Sequence, residues 1–250
     1  MPPGVAQVPD DLLGSPLRPN WIWSSFRVAM RIIFAVWLRY RARGLEHVPS
    51  QGGGLILANH QSFLDPLMIG LPLQRPISFL ARENLFDVPV IGWILRRAYV
   101  MPINQMAGTS GLRTLLKRLD KGFLVGIFPE GSRSPDGVVG EVKGGFVAVV
   151  RRSNEPIIPV GIAGAHRALG LGAWFMKPYR VCVVFGQAFA PEEIARLKEK
   201  GRESELVAVV RQRIIDCQHE AESWLQHSAA DSVSMKSIPQ RSDQVESRLT

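Results

Sequence analysis

Seven consecutive residues narrow the possible folds of this chain more than any other stretch. Gly52-Gly53-Gly54 leads into Leu55-Ile56-Leu57-Ala58, an apolar run with no polar residue inside it. A strand with one wet face alternates apolar and polar residues. An uninterrupted run belongs to a strand buried on both faces, the usual state in a parallel sheet covered by helices. Residues 77–80, 98–103, 123–128, 157–162 and 180–185 read as further short strands. Between them lie helical segments: from Pro66 onward, 90–97, 111–120 with Leu112, Leu115, Leu116 and Leu119 on one side, 146–152, a helix opening at Pro191, and a long one over 203–226. Strands alternating with helices give an α/β domain with a mostly parallel central sheet flanked by helices. A chain of 250 residues that is 46% apolar can build one sizeable core of this kind.

The ends read differently. Residues 1–19 are rich in Pro and Gly and are expected to form a flexible leader; residues 228–250 are Ser-rich with mixed charge and are expected to be disordered. The start, Met-Pro-Pro-Gly with Asp10 and Asp11, lacks the basic opening and short apolar core of a secretory signal. Over 20–43 the pattern is helical. Trp23, Phe26, Met30, Ile33 and Trp37 recur every three or four residues, with Arg27, Arg31 and Arg39 on another side. Six arginines and no acid fall between Arg18 and Arg43, which is most of the net charge of +8. Basic residues set among Trp, Ile and Phe point to an anionic membrane surface rather than to nucleic acid. A first helix that packs on its own domain is the alternative, and both can hold together. The apolar run Ile32 to Leu38 is far short of the ~20 residues needed to span a bilayer. Cys182 and Cys217 show neither metal-ligand nor redox spacing, so a reducing compartment is the default.

Two constellations carry chemistry. Asn59-His60-Gln61-Ser62-Phe63-Leu64-Asp65 follows the buried strand, at the kind of strand end where α/β proteins bind ligands. Histidine is the side chain best suited to take a proton near neutral pH, and a carboxylate five residues on can reach its far nitrogen and fix the tautomer. Phe128-Pro129-Glu130-Gly131-Ser132-Arg133-Ser134 leaves another apolar strand. There Glu130 can accept hydrogen bonds from a polyol, and Arg133 offers a planar fork for phosphate. Each constellation alone could arise by accident; the two together far less readily.

Together they resemble a known family. Asn-His-x4-Asp followed some seventy residues later by Phe-Pro-Glu-Gly-Ser-Arg is similar to the glycerophosphate and lysophosphatidate acyltransferases, the PlsC-type family. The resemblance runs from about residue 44 to 187. It includes Leu85-Phe86-Asp87-Val88-Pro89-Val90-Ile91-Gly92, Lys143-Gly144-Gly145 and Ile157-Ile158-Pro159-Val160-Gly161. It implies a glycerolipid-acyltransferase-like domain over 44–227 behind the amphipathic helix. It further implies transfer of a fatty acyl group from acyl-CoA or acyl carrier protein to 1-acyl-glycerol-3-phosphate, forming phosphatidate on the cytoplasmic face of a membrane. His60 would be the general base and Asp65 its orienting partner. Glu130, Gly131, Ser132 and Arg133 would hold the acceptor, with Asn59 and Lys143 beside them. A thioester is already activated, so no cofactor and no metal are implied, and no Gly-x-Ser-x-Gly nucleophile elbow is present. The oxyanion would be held by backbone N–H groups or by a cation. His166, in Gly164-Ala165-His166-Arg167, is expected to pack in a loop, with an approach to the acyl carrier as the other reading.

One position departs from the family pattern. Gln105 stands after Tyr99-Val100-Met101-Pro102-Ile103-Asn104, where the family places an arginine that grips the acceptor phosphate. Arg82, Arg96, Arg97 or Lys143 would then compensate, or the acceptor is another lysolipid or hydroxylated lipid. A catalytically silent lipid-binding protein on the same fold is the rival from another class, but it would have no physical need to keep both His60 and Asp65.

Overall fold

The computed structural model describes residues 21–97, 99–103 and 109–234. The expected leader at 1–19, Gln105 and the last part of the expected tail lie outside the described residues. The centre is a seven-stranded sheet made of β1 (Arg41–Arg43), β2 (Gly54–Ala58), β3 (Ile77–Arg82), β4 (Met101–Ile103), β5 (Leu124–Ile127), β6 (Ile157–Ala163) and β7 (Cys182–Phe185). Their order across the sheet is β1-β7-β6-β2-β5-β3-β4. Five neighbours, β6, β2, β5, β3 and β4, run in one direction. Strand β7 is antiparallel to β6, and β1 lies parallel to β7 at the edge. The mostly parallel sheet is as expected; the edge strand β1 is not, because three residues reading Arg-Ala-Arg carry no apolar run.

Strand β2 shows why its composition had to be uniform. Leu55 and Leu57 point to one face, where they join Leu115 and Leu119 of α4 (Thr109–Asp120), Val150 of α5 (Val147–Arg152), and Val210 and Ile214 of α8 (Glu203–Ser234). Ile56 and Ala58 point to the other face, toward Phe34 of α1 (Trp21–Trp37) and Met68 and Ile69 of α2 (Asp65–Gly70). All four side chains are buried, and each larger one contributes roughly 2 kcal/mol over an exposed position. A polar residue anywhere in the run would lose water without gaining a partner. The remaining helices are α3 (Pro89–Arg97), α6 (Ala165–Leu169) and α7 (Pro191–Leu197), the last with proline in its first turn as expected.

Both long helices differ from their expected bounds. Helix α1 ends at Trp37 rather than near Arg43. Arg39 takes a positive φ of 43°, and the chain turns so that the N–H groups of Leu38 and Tyr40 both donate to the Phe34 carbonyl. No Gly or Pro marks this stop, so periodicity runs past it. The core-facing row also differs from the expected stripe. Trp23, Phe34 and Leu38 are buried, whereas Ile33 and Trp37 remain 44% and 48% exposed. The core-facing row includes the half-buried Arg27, whose guanidinium donates to the Leu73 carbonyl, and a row containing arginine does not register as apolar. Arg43 is engaged within the chain at its surface, paired with Glu220 at 2.7 Å and set over the Trp224 ring. Helix α8 continues from the expected end at Gln226 to Ser234. Ala229 and Ala230 favour helix, and extending an existing helix costs far less than starting one. Among the described residues no helix is long and apolar enough to cross a membrane.

Helix α8 lies directly on β6. A Cβ at Gly161 would stand 2.1 Å from the Gln218 backbone nitrogen and 2.2 Å from the Cys217 carbonyl carbon. Glycine here sets the distance between helix and sheet. Gly161→Ala is therefore expected to lower stability by about 1–3 kcal/mol or more, since backbone must move to admit the methyl group. Urea unfolding followed by circular dichroism measures this; an unchanged midpoint would show that the helix can shift without cost.

Candidate active site

Parallel pairing of β2 with β5 brings the two constellations together. Leu57 pairs with Ile127, so the chain leaves both strands at the same edge of the sheet, and His60 and Glu130 each follow three residues later. The two loops are then stitched to each other. The His60 N–H donates to Glu130 Oε1 at 2.8 Å, and the Ser134 N–H donates to the His60 carbonyl at 2.7 Å. Glu130 Oε2 accepts from the Gly140 N–H at 3.0 Å. Glu130 is buried, and that burial pushes its carboxyl up, opposed by the two backbone donors.

The His60 ring is oriented on two sides. Its Nδ1 donates to Asp65 Oδ2 at 2.7 Å. Asp65, fully buried at the start of α2, also accepts on Oδ2 from the backbone N–H groups of Gln61 and Ser62, at 2.6 and 2.7 Å. Burial pushes the Asp65 carboxyl up; the hydrogen bond and charge of His60, then the two backbone donors, work against that rise. The imidazole lies flat on Phe128, centroids 4.1 Å apart and planes 15° apart, and Phe128 stacks in turn on Phe79 at 5.4 Å. Gly126 makes room for this stack, since a Cβ there would sit 2.1 Å from the Phe79 ring. With Nδ1 committed to Asp65, the second ring nitrogen, Nε2, is left with its lone pair available. The ring keeps 20% of its surface open, and Nε2 has no partner among the described residues. That is the geometry of a general base.

The basic groups gather on the Glu130 side. Gly131 adopts φ +71°, and the Lys143 side chain lies across it: a Cβ at Gly131 would be 3.4 Å from both Cδ and Nζ of Lys143. The Lys143 N–H donates to the Pro129 carbonyl at 2.9 Å, which fixes this segment against the loop. Ser132 is exposed and Arg133 half-exposed. Neither Arg133 nor Lys143 has a carboxylate partner among the described residues. Arg82 ends β3 at the same edge, whereas Arg96 turns back to the Phe86 carbonyl. Beyond Lys143, an open groove of about 1020 Å³ runs between α5 and α8, with Val142, Val147, Ala148 and Val207 in its lining.

Residues 39–163 match the model of the Acyltransferase family. The chain belongs to the acyltransferase family. It is 30% identical over 212 residues to the 1-acyl-sn-glycerol-3-phosphate acyltransferase of Pseudomonas aeruginosa, covering 79% of this chain and 74% of that one. It is 33% identical over 135 residues to a chloroplastic 1-acyl-sn-glycerol-3-phosphate acyltransferase of Brassica napus, where the match covers 52% of this chain. The chain spans only 39% and 37% of the length of the Brassica napus and Arabidopsis thaliana chloroplastic relatives. Its fold matches the crystal structure of the 1-acyl-sn-glycerophosphate acyltransferase PlsC from Thermotoga maritima with a TM-score of 0.68, at 25% identity and over 80% of each chain.

Within this family member some residues take other positions than their motifs suggest. Asn59 is buried, and its amide is spent on the backbone of β6: Nδ2 donates to the Ile162 carbonyl at 3.0 Å and Oδ1 accepts from the Ile162 N–H at 2.7 Å. It locks β2 to β6 and presents no polar group to a substrate. Glu130 faces inward, toward the His60 and Gly140 backbone, rather than outward to a polyol. His166 sits behind the site at the start of α6, with its N–H and Nδ1 both 3.4 Å from Gln61 Oε1. Gln61, buried, also donates to the Gly137 carbonyl at 2.7 Å. Neither Gln61 nor the Phe128 stack stood out in the sequence, because a lone Gln or Phe carries no spacing signal. The tautomer assignment has a direct readout. Wild-type protein is expected to show a low-field Nδ1 proton resonance for His60, and Asp65→Asn to lose it; a resonance unchanged in a folded Asp65→Asn protein would remove Asp65 from its orienting role.

Proposed function

We propose that this acyltransferase moves a fatty acyl group from acyl-CoA or acyl carrier protein to the free hydroxyl of 1-acyl-glycerol-3-phosphate, forming phosphatidate in phospholipid biosynthesis. The observation that carries the reading is the His60–Asp65 pair two residues past β2, with an Nε2 that has no partner among the described residues, and with Arg133 and Lys143 on the Glu130 side, neither of which has a carboxylate partner there. The activities for which the Pseudomonas and Thermotoga proteins are named support the same acceptor.

In this reaction Nε2 takes the acceptor hydroxyl proton as the oxygen attacks the thioester carbonyl. Asp65 stabilises the positive charge that His60 acquires. The new C–O bond forms, the C–S bond breaks, and His60 returns its proton to the departing thiolate. The thioester supplies the activation, so the step needs neither a covalent acyl-enzyme nor a cofactor. Arg133 and Lys143 bind the acceptor phosphate, Ser132 offers a hydroxyl beside them, and Gly131 keeps the approach open. Glu130 acts one step back, by fixing the His60 peptide. Helix α1 rests on the cytoplasmic face of an anionic membrane with Trp21, Ile32, Val36 and Trp37 outward and Arg31 and Arg39 exposed among them. A lysolipid acceptor residing in that bilayer then meets the site without leaving it.

The base is testable without losing the fold, because the two backbone bonds of His60 do not use its side chain. His60→Ala is expected to lower turnover at least ~100-fold with labelled acyl-CoA or acyl carrier protein and lysophosphatidate. Near-normal turnover by the folded variant would sink the proposal. Gln105 tests the acceptor. Gln105→Arg is expected to lower the Michaelis constant for lysophosphatidate by the equivalent of ~1–2 kcal/mol, and to do little for an acceptor lacking a phosphomonoester. A fall in activity on a bulkier lysolipid that the wild type prefers would instead identify that lipid as the acceptor.

A further inference from the structure

Three large apolar side chains project from one short loop that the proposed chemistry does not use. Trp174 is 97% exposed, Phe175 71% and Leu171 58%. Single exposed apolar residues are ordinary on a protein surface, but a cluster in one loop marks an interaction site. The loop reads Gly170-Leu171-Gly172-Ala173-Trp174-Phe175-Met176, with no hydrogen-bonding side chain except the indole N–H. Loops in water are polar; this one is composed for an apolar medium.

We propose that loop 170–176 is a second membrane-inserting element, which enters an anionic lipid surface beside α1 and holds the His60 site at headgroup level. The inference rests on the membrane reading of α1 given above. Its first support is continuity. Trp37 Nε1, at the end of α1, donates to the Met176 carbonyl at 3.0 Å, so the loop joins the exposed apolar side of α1 formed by Ile32, Ile33, Val36 and Trp37. Its second is charge. No Asp or Glu occurs between Glu155 and Glu192, while Arg167, Lys177 and Arg180 flank the loop. Arg167 donates to the Tyr179 hydroxyl at 2.6 Å and lies over its ring, which places an aromatic and a cation together at the base of the loop. Apolar tip, aromatic and basic base: this is the order of chemistries met on passing from acyl chains through the interface to anionic headgroups. A protein partner would more naturally be met by hydrogen-bonding groups around the apolar centre.

The loop is also tied to the site. Its base is closed by the Lys177 N–H donating to the Ala168 carbonyl at 2.8 Å. Directly before it, the Leu169 carbonyl accepts from Ser62 Oγ at 2.7 Å, and Ser62 is one of the three donors-and-neighbours that set Asp65. Phe63, next in the same catalytic loop, is 54% exposed. Insertion of 170–176 would thus fix the depth of His60 relative to the bilayer, so that an acceptor keeps its acyl chain in lipid while its hydroxyl reaches Nε2.

A fluorescent label decides the matter. Cys182 and Cys217 are buried, and burial pushes the Cys217 thiol up to about 12 and the Cys182 thiol up as well, so an introduced surface cysteine reacts selectively. Full-length Phe175→Cys carrying an environment-sensitive NBD group is mixed with vesicles of phosphatidylcholine and phosphatidylglycerol. The expected result is a blue-shifted emission that nitroxide-bearing acyl chains quench, while the same label at Lys200→Cys, on the exposed turn before α8, stays water-like. The unlabelled double variant Trp174→Ser, Phe175→Ser is expected to partition onto the vesicles about ten-fold less well at high salt, with its thermal midpoint unchanged. Vesicle binding with a water-like label at 175 would overturn the loop while leaving the α1 reading intact. Absence of any vesicle binding would overturn both. Blue-shifted emission without vesicles, together with a doubled mass in sedimentation, would assign the loop to a second copy of the chain.

Discussion

The site exists because two parallel strands share a register. With Leu57 opposite Ile127, the first residues beyond β2 and β5 leave the sheet side by side, and a carboxylate and an imidazole seventy positions apart become neighbours. Everything polar at that edge is then organised around peptide groups that the ending strands leave unpaired. Glu130 receives the N–H groups of His60 and Gly140, Asp65 receives those of Gln61 and Ser62, and Asn59 exchanges two bonds with Ile162. Sheet edges that end in buried space must satisfy their backbone somewhere. Here the side chains that do so are also the ones that hold the His60 loop.

This double duty explains the electrostatics. Two buried carboxylates stand close to each other without a lysine or arginine paired to either among the described residues, and burial raises both. What keeps them serviceable is directed N–H dipoles, which cost no reorganisation when His60 gains charge. Arg133 and Lys143, which have no carboxylate partner among the described residues, lie outside this inner ring, toward solvent. The arrangement separates positioning from binding. Inner acids fix the imidazole, and under the proposed function the outer cations are left for an anionic acceptor. An arginine paired directly with Glu130 or Asp65 would neutralise the inner ring and be lost to the acceptor.

Fold and site were legible to different depths. The parallel sheet followed from the apolar runs, because burial on both faces leaves no freedom in composition. His60, Asp65 and the Phe128–Ser134 loop followed from motif spacing. Less legible was what each motif residue faces. Asn59 and Glu130 turn inward because the nearest unpaired backbone groups lie there, and a one-dimensional pattern does not say where a neighbouring strand ends. The stop of α1 at Trp37 was hidden by a non-glycine residue with positive φ, and its core-facing row by Arg27. The edge strand β1 was hidden because three residues with exposed ends need no apolar signature. The Phe79–Phe128–His60 stack depends on Gly126, a residue whose role is to be small, and smallness leaves no trace in hydropathy.

The sidedness of the molecule follows from the same topology. Helices α1 and α2 cover one face of the sheet and α4, α5 and α8 the other, while the strand ends that carry His60 and Glu130 lie between them. Apolar residues left outward are concentrated on α1 and on the loop joined to it through Trp37 and Met176. The α8 face instead carries ion pairs such as Arg43–Glu220 and Arg213–Glu193. A bilayer on the α1 side would therefore meet apolar surface, and water on the α8 side would meet charge. An edge-on site between two such faces suits a reaction whose partners come from different phases. Under the proposed function, the acceptor would be held by its acyl chain in lipid and the thioester would arrive on a soluble carrier. A site buried under either helical layer would exclude one of them, so the strand-end position is the place in this fold where both can reach the same imidazole.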